Sequence, residues 1–131
     1  MNLIKLDQLI DLDIIYDLAY DFKPAEIEKY KKPEKEAETE AAFEGGIYRF
    51  YDKNRQIIYV GKSSNLHRRW LQHFGKRTNT ADFIDEVESF DFLVENNPIY
   101  QTLLESIFIA YHEPKYNDEV QDERKLENDD K

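Results

Sequence analysis

Two tyrosines in a basic stretch of the chain could handle a proton, although a single tyrosine in a strand more often packs. Tyr48 ends a Gly-Ile-Tyr run, Tyr59 begins a Tyr-Val-Gly run, and ten residues separate them. Residues 45–77 hold eight Lys or Arg and one Asp, although the chain has a net charge of −10. Such local positive charge favours phosphate contact. A tyrosine, with a pKa of about 10, becomes a useful base only where cations such as Lys62 and Arg69 favour the phenolate.

A β-hairpin is predicted to position the two tyrosines. β-branched and aromatic residues fill 46–51 and 56–60, and a polar turn separates the two runs. On paired strands the hydroxyls of Tyr48 and Tyr59 can point to one face of the sheet. Gly61 is expected to end the second strand and to let the backbone approach closely where a side chain would collide.

The remaining hydrophobic periodicity predicts an α+β fold, with a small three-stranded, mainly antiparallel sheet flanked by helices. The predicted helices cover 3–20, 24–30, 81–88 and 99–112, and a further helix is capped within 63–65 and ends at 76. The third strand covers 89–95. The predicted domains are a helical extension with a charged linker over 1–42, a folded domain over 43–118, and an acidic, disordered tail over 119–131.

The composition excludes several classes of protein. The chain has no cysteine, which rules out a disulfide scaffold, thiolate metal sites and a cysteine nucleophile. No apolar run approaches the roughly 20 residues that span a bilayer, and aspartates interrupt the apolar N-terminus where a signal peptide would be continuous. A cytoplasmic protein that does not partner a membrane is therefore expected.

The motifs and their order resemble the GIY-YIG nuclease superfamily, most closely the N-terminal incision domain of bacterial excision-repair nucleases of the UvrC type. The Tyr-Val-Gly run leads to Lys62 and, in the following helix, to Arg69. A Leu-Glu pair ending at Glu105 lies in the last predicted helix, and a Pro-Lys-Tyr-Asn run ends at Asn117. The resemblance covers about residues 43–118.

The resemblance implies a metal-dependent endonuclease that hydrolyses a DNA phosphodiester bond, nicking one strand, with a role in DNA repair. It assigns Tyr59 to take the proton of the attacking water, with Tyr48 as its partner. Arg69 and Lys62 would favour the phenolate and hold the phosphate. Glu105 would be the single protein ligand of Mg²⁺ or Mn²⁺, since such a hard cation accepts one carboxylate plus waters and phosphate oxygens.

Four more residues complete the predicted site. Gly61, Arg68 and Asn117 are assigned to substrate binding, and Asn117 is also expected to tie the end of the chain to the site by hydrogen bonds. His73 stands one helical turn after Arg69, so the two side chains share a face. Some homing-endonuclease members resemble this pairing, and the role of His73 stays open between a shared base, a phosphate contact and neither.

Other interpretations compete with these. The fold could be catalytically silent and bind only DNA or a protein. The acidic flanks, 1–44 and 118–131, could mimic DNA or shield the basic face. A repair or phage protein that targets the chain to DNA is compatible with either interpretation. His67 and His112 are predicted to be surface residues, and exposure is the alternative for Glu105.

Overall fold

The computed structural model of the protein describes residues 17–18, 20–33 and 44–117. The tail lies outside these residues, as do residues 3–16 and 19 of the predicted N-terminal helix and most of the charged linker. The described strands are β1 (Lys23–Pro24), β2 (Gly46–Tyr51), β3 (Ile57–Ser63) and β4 (Ser89–Val94). The described helices are α1 (Ile27–Lys31), α2 (Leu66–Phe74) and α3 (Pro98–His112), with a 3-10 turn at Ile84–Glu86. None of them is long and apolar enough to cross a membrane.

The α+β class is confirmed, but the sheet has four strands where three were predicted. The strand order is β1-β4-β2-β3, and every neighbouring pair is antiparallel. In the added strand, Lys23 lies opposite Phe92 and Pro24 opposite Asp91. Pro24 was predicted to open a helix, but it lies at the sheet edge, where a residue without an N–H is tolerated. A two-residue strand has no hydrophobic period that a sequence could reveal.

The β2–β3 hairpin sets the register of the two motifs. Tyr48 lies opposite Gly61, and Phe50 lies opposite Tyr59. The turn is fixed by Asp52, whose carboxylate accepts hydrogen bonds from the next backbone N–H groups in the turn, as is typical of an Asx turn. Gly61 does not end β3 as predicted, because the ladder continues through Ser63.

Asparagines cap the two helices that carry predicted site residues. Asn65 accepts a hydrogen bond from the Arg68 N–H at the start of α2, at 3.0 Å. Asn97 accepts from the first N–H groups of α3, where Pro98 occupies the first turn without losing a helical hydrogen bond. These caps determine where each helix begins relative to the strand before it.

Two apolar cores lie on opposite faces of the sheet. The α2 face carries the larger core, which is mainly aromatic. Its buried members are Tyr30, Tyr48, Phe50, Ile58, Tyr59, Leu66, Trp70, Leu71, Phe83, Ile84, Val87 and Phe90. The α3 face carries a smaller core of Phe22, Ile47, Val60 and Phe108. Because Phe22 and Tyr30 belong to these cores, residues 20–33 pack on the domain.

A buried charged network crosses the α3 face. Arg49 donates two hydrogen bonds to Asp91, at 2.8 and 2.7 Å, and its guanidinium lies 3.8 Å from the ring centroid of Phe22. Tyr51 donates to the same carboxylate, and burial together with that charge raises the pKa of Tyr51 to about 12. His112, predicted to be a surface residue, is half-buried beside Arg49 at 3.2 Å.

This network predicts that His112 destabilises the fold as it gains a proton. Burial and the Arg49 charge lower the pKa of His112 from 6.5 to about 4. As the pH falls, the unfolded chain therefore binds the extra proton before the folded chain does. The contribution of neutral His112 to stability is complete above pH 6.5 and is lost as the pH falls toward 4. The free energy of unfolding, measured with urea between pH 4 and 7, should fall more steeply with falling pH for wild type than for His112→Gln. Parallel curves for the two proteins would contradict this assignment.

Candidate active site

The two motif tyrosines lie together in the aromatic core. Because Tyr48 faces Gly61 across the ladder and side chains alternate along a strand, Tyr48 and Tyr59 point to the same face. Their ring centroids are 6.3 Å apart, and neither side chain is exposed to solvent. The hairpin prediction is confirmed in this respect, while the complete burial of both rings was not predicted.

Gly61 makes room for the hydroxyl end of Tyr48. A Cβ placed on Gly61 would lie 2.4 Å from Cζ and 2.5 Å from the hydroxyl oxygen of Tyr48, distances at which one of the two residues must move. The ring of Tyr48 therefore lies directly over the glycine of the second motif. The close approach of this ring explains why a glycine occupies position 61. Backbone conformation does not explain it, because none of the described glycines has a positive φ.

His73 extends the tyrosine pair toward α2. Its Nε2 lies 2.6 Å from the hydroxyl of Tyr48, and its ring centroid lies 5.8 Å from that of Tyr59. The Nδ1 atom contacts the hydroxyls of Thr78 and Thr80 in the loop after α2. His73 is fully buried, so it belongs to the tyrosine cluster and does not lie on a surface that could contact a phosphate directly.

The basic residues of the predicted site differ in exposure. Arg68 is exposed, and Arg69 is partly exposed on α2. The guanidinium of Arg69 makes no ion pair or side-chain hydrogen bond with any residue that the structure describes, which leaves its donors available to a phosphate. Lys62 is partly exposed and donates to the hydroxyl of Thr102 on α3, at 2.7 Å.

Glu105 enters the site from the other layer of the fold. It is 8% exposed and lies on the buried face of α3, between Gln101 and Phe108. This burial rules out the surface interpretation of Glu105. The tyrosines project toward α2, whereas α3 packs on the opposite face of the sheet, so Glu105 and Tyr59 come from opposite faces. β3, on which Tyr59 lies, is an edge strand of the sheet.

Asn117 holds that edge. Its side chain accepts a hydrogen bond from the Val60 N–H, at 2.9 Å, and donates one to the Val60 carbonyl, at 2.8 Å. The Tyr116 N–H donates to the Ile58 carbonyl along the same edge, at 3.0 Å. The segment that follows α3 thus completes the hydrogen bonding of β3 from outside the sheet.

Residues 44–118 match the model of the UvrC-like GIY-YIG domain. The chain belongs to this GIY-YIG family of endonuclease domains. Curated relatives include the UvrABC system protein C of Finegoldia magna, 39% identical over 82 residues, and that of Methanosarcina barkeri, 37% identical over 83 residues. These alignments cover 60% and 61% of this chain but only 14% and 16% of the relatives.

Solved structures agree with the family assignment. The N-terminal GIY-YIG endonuclease domain of UvrC from Thermotoga maritima, bound to its catalytic magnesium, is 27% identical to this chain with a TM-score of 0.52. The alignment covers 64% of this chain and 98% of that domain. A variant of the same domain with one tyrosine replaced by phenylalanine, also bound to the cation, has the same TM-score.

Sequence reasoning missed polar residues that the GIY-YIG domain buries. His67 was predicted at the surface but is 5% exposed, and its Nδ1 lies 3.0 Å from the hydroxyl of Tyr30. Thr80 is fully buried against His73 and drew no attention, because a threonine in a polar loop normally faces solvent. Thr78, two residues earlier, also contacts His73. The spacing of Thr78 and Thr80 after His73 was the only available signal, and it is weak.

The edge contacts of Asn117 lead to a stability prediction. Asn117→Ala leaves the N–H and the carbonyl of Val60 without these partners at a buried edge, which should lower the free energy of unfolding by about 2 kcal/mol. Urea denaturation measures the change, and Asn54→Ala in the exposed hairpin turn is the matched control. If both variants unfold at the same urea concentration, Asn117 does not hold the edge.

Proposed function

We propose that this GIY-YIG domain is a metal-dependent DNA endonuclease that hydrolyses one phosphodiester bond per active site and so nicks one strand. The observation that carries the proposal is the shared neighbourhood of Tyr48, Gly61 and His73, with Arg69 on the same helix as His73. Basic groups next to a buried polar cluster suit a phosphate substrate. The solved endonuclease domains that this chain resembles supply independent support.

The donor set fits a hard cation. Glu105 presents a buried carboxylate, and the described residues contain no group of three His, Cys, Asp or Glu side chains that could form a closed metal site. Mg²⁺ commonly binds through one or two carboxylates and keeps waters and phosphate oxygens as its other ligands. When bound, Mg²⁺ or Mn²⁺ supplies positive charge that stabilises the phosphate and the leaving oxygen. Glu105 is the residue that would hold it.

The other residues bind the substrate and handle the proton. Arg69, with its unengaged guanidinium, binds the scissile phosphate, and Lys62 and the exposed Arg68 contact the DNA backbone on either side. Tyr59, as a phenolate favoured by these cations, takes the proton of the attacking water. Because Tyr59 is fully buried, that water must be held inside the site and not in bulk solvent, which strengthens its attraction to nearby charges.

The same burial favours a second candidate, a GIY-YIG fold that binds DNA or a protein without cutting. In that case Tyr48 and Tyr59 are core residues, and the basic segment alone makes the contact. The two candidates differ in one observable property. Only the nuclease changes the topology of supercoiled DNA in a metal-dependent way.

The biological setting is also part of the proposal. We infer a DNA-repair role because the curated relatives are UvrABC system protein C, and a cytoplasmic location suits such a role. The chain spans about a seventh of those relatives, so we infer that a partner or a further segment targets it to DNA. We assign the catalytic unit to 43–118, with Phe22 and Tyr30 stabilising it.

Nicking of supercoiled plasmid tests the assigned roles. With Mg²⁺ or Mn²⁺ present, Tyr59→Phe, Arg69→Ala and Glu105→Gln should each slow nicking by about 100-fold or more, since each removes a group that acts on the reacting atoms. Chelation with EDTA should abolish it.

Two controls match the charge that Arg69→Ala and Glu105→Gln remove. Lys53 in the hairpin turn and Glu88 immediately before β4 are both exposed, so Lys53→Ala and Glu88→Gln should nick like wild type. Equal activity in all variants would refute the roles. DNA binding without any nicking by wild type would support the non-cutting candidate.

A further inference from the structure

Three polar groups form a closed triangle inside the aromatic core. The Nδ1 atom of His73 lies 2.7 Å from the hydroxyl oxygen of Thr80 and 2.9 Å from that of Thr78. The two hydroxyl oxygens lie 2.7 Å from each other. His73 and Thr80 are fully buried, and neither threonine belongs to a motif of the family resemblance.

The short contact between Tyr48 and His73 assigns the tautomer of His73. The Tyr48 hydroxyl oxygen and Nε2 are 2.6 Å apart, which is shorter than the roughly 2.7–3.2 Å of bonds donated by an N–H and within the range of bonds donated by a hydroxyl. The hydroxyl is therefore the donor and Nε2 the acceptor, so the proton of the imidazole lies on Nδ1. That N–H can be shared between the two threonine oxygens, and one hydroxyl proton fills the contact between the threonines. The Thr80 N–H also donates to the Thr78 oxygen, at 3.2 Å, which supports Thr78 as the acceptor within the pair.

The tautomer determines what Tyr48 can do. With the proton on Nδ1, the neutral imidazole presents a lone pair at Nε2, and the Tyr48 hydroxyl, 2.6 Å away, must donate to it. The oxygen of Tyr48 then has only lone pairs left for other partners. This oxygen lies over Gly61, at the junction of the two motifs. It can accept a hydrogen bond from a water or a hydroxyl there, but it cannot donate one.

We propose that Thr78 and Thr80 are positioning residues that hold His73 as the Nδ1–H tautomer and so fix the Tyr48 hydroxyl as a hydrogen-bond acceptor toward the active site. The use of this acceptor in catalysis rests on the proposed nuclease function. The assignment of the tautomer does not rest on that function, because it follows from contacts within the protein. An acceptor at this place orients a proton-bearing group, such as the attacking water, whose proton passes to Tyr59.

Side-chain NMR tests the tautomer without DNA or metal. Long-range ¹H–¹⁵N correlations distinguish a protonated from an unprotonated ring nitrogen, and a His73→Gln sample assigns the signals among the three histidines. Wild type should show Nδ1 protonated and Nε2 unprotonated. Thr80→Val keeps the size of the side chain without its hydroxyl and should shift the population toward Nε2–H. Thr80→Ser keeps the hydroxyl and should retain the wild-type pattern.

A nicking assay adds a readout that a structural role alone would not change. Thr80→Val should lower kcat by about tenfold with KM for DNA unchanged, and Thr80→Ser should restore kcat. Thr78→Val, which removes the partly exposed member of the pair, serves as a second variant if Thr80→Val fails to fold. An Nε2–H tautomer in wild type, or an unchanged tautomer in both valine variants, would overturn the proposal.

The two proposals fail in different ways. If wild type does not nick DNA but shows the Nδ1–H pattern that Thr80→Val loses, the nuclease function is wrong and the threonine assignment is correct. If wild type nicks and Thr80→Val changes the tautomer with no effect on kcat, the catalytic part of the inference is wrong.

Discussion

The arrangement of the site depends on one pairing, the antiparallel register that sets Gly61 opposite Tyr48. A glycine is the only residue that leaves space for the phenol ring to lie across the ladder. That position brings the hydroxyl within 2.6 Å of His73 on α2. A shift of one residue in the register would turn every side chain of β3 to the other face and separate Tyr59 from Tyr48.

The sheet also separates the two kinds of chemistry that phosphodiester hydrolysis needs. Groups suited to proton handling, Tyr48, Tyr59 and His73, lie on the α2 face in an aromatic core. The candidate cation ligand, Glu105, lies on the α3 face, where Lys62 contacts the same helix. The two sets lie on opposite faces of the sheet, whose edge strand is β3. Asn117 completes the hydrogen bonding of that edge at Val60 and so keeps the strand in place.

Much of this fold could be predicted from the sequence where a pattern repeats. The hairpin and α3 are marked by β-branched runs, by the Asn97-Pro98 start of the helix and by its apolar positions. The placement of Glu105 in an apolar helix correctly raised the question of its burial. β1 could not be predicted, because two residues carry no period. His67 and His112 were missed because their partners, Tyr30 and Arg49, are distant in sequence and only tertiary packing brings them together. Thr80 was missed for another reason, because a threonine in a polar loop normally faces solvent.

The central claim is that Glu105 holds a divalent cation at the β3 edge, next to the tyrosine cluster. The most direct measurement is anomalous diffraction from crystals of the protein soaked in Mn²⁺. The account predicts an anomalous peak about 2 Å from a carboxylate oxygen of Glu105, with waters as its other ligands, and no such peak for Glu105→Gln. A cation bound elsewhere with Glu105 unengaged, or a peak that persists in the variant, would contradict it.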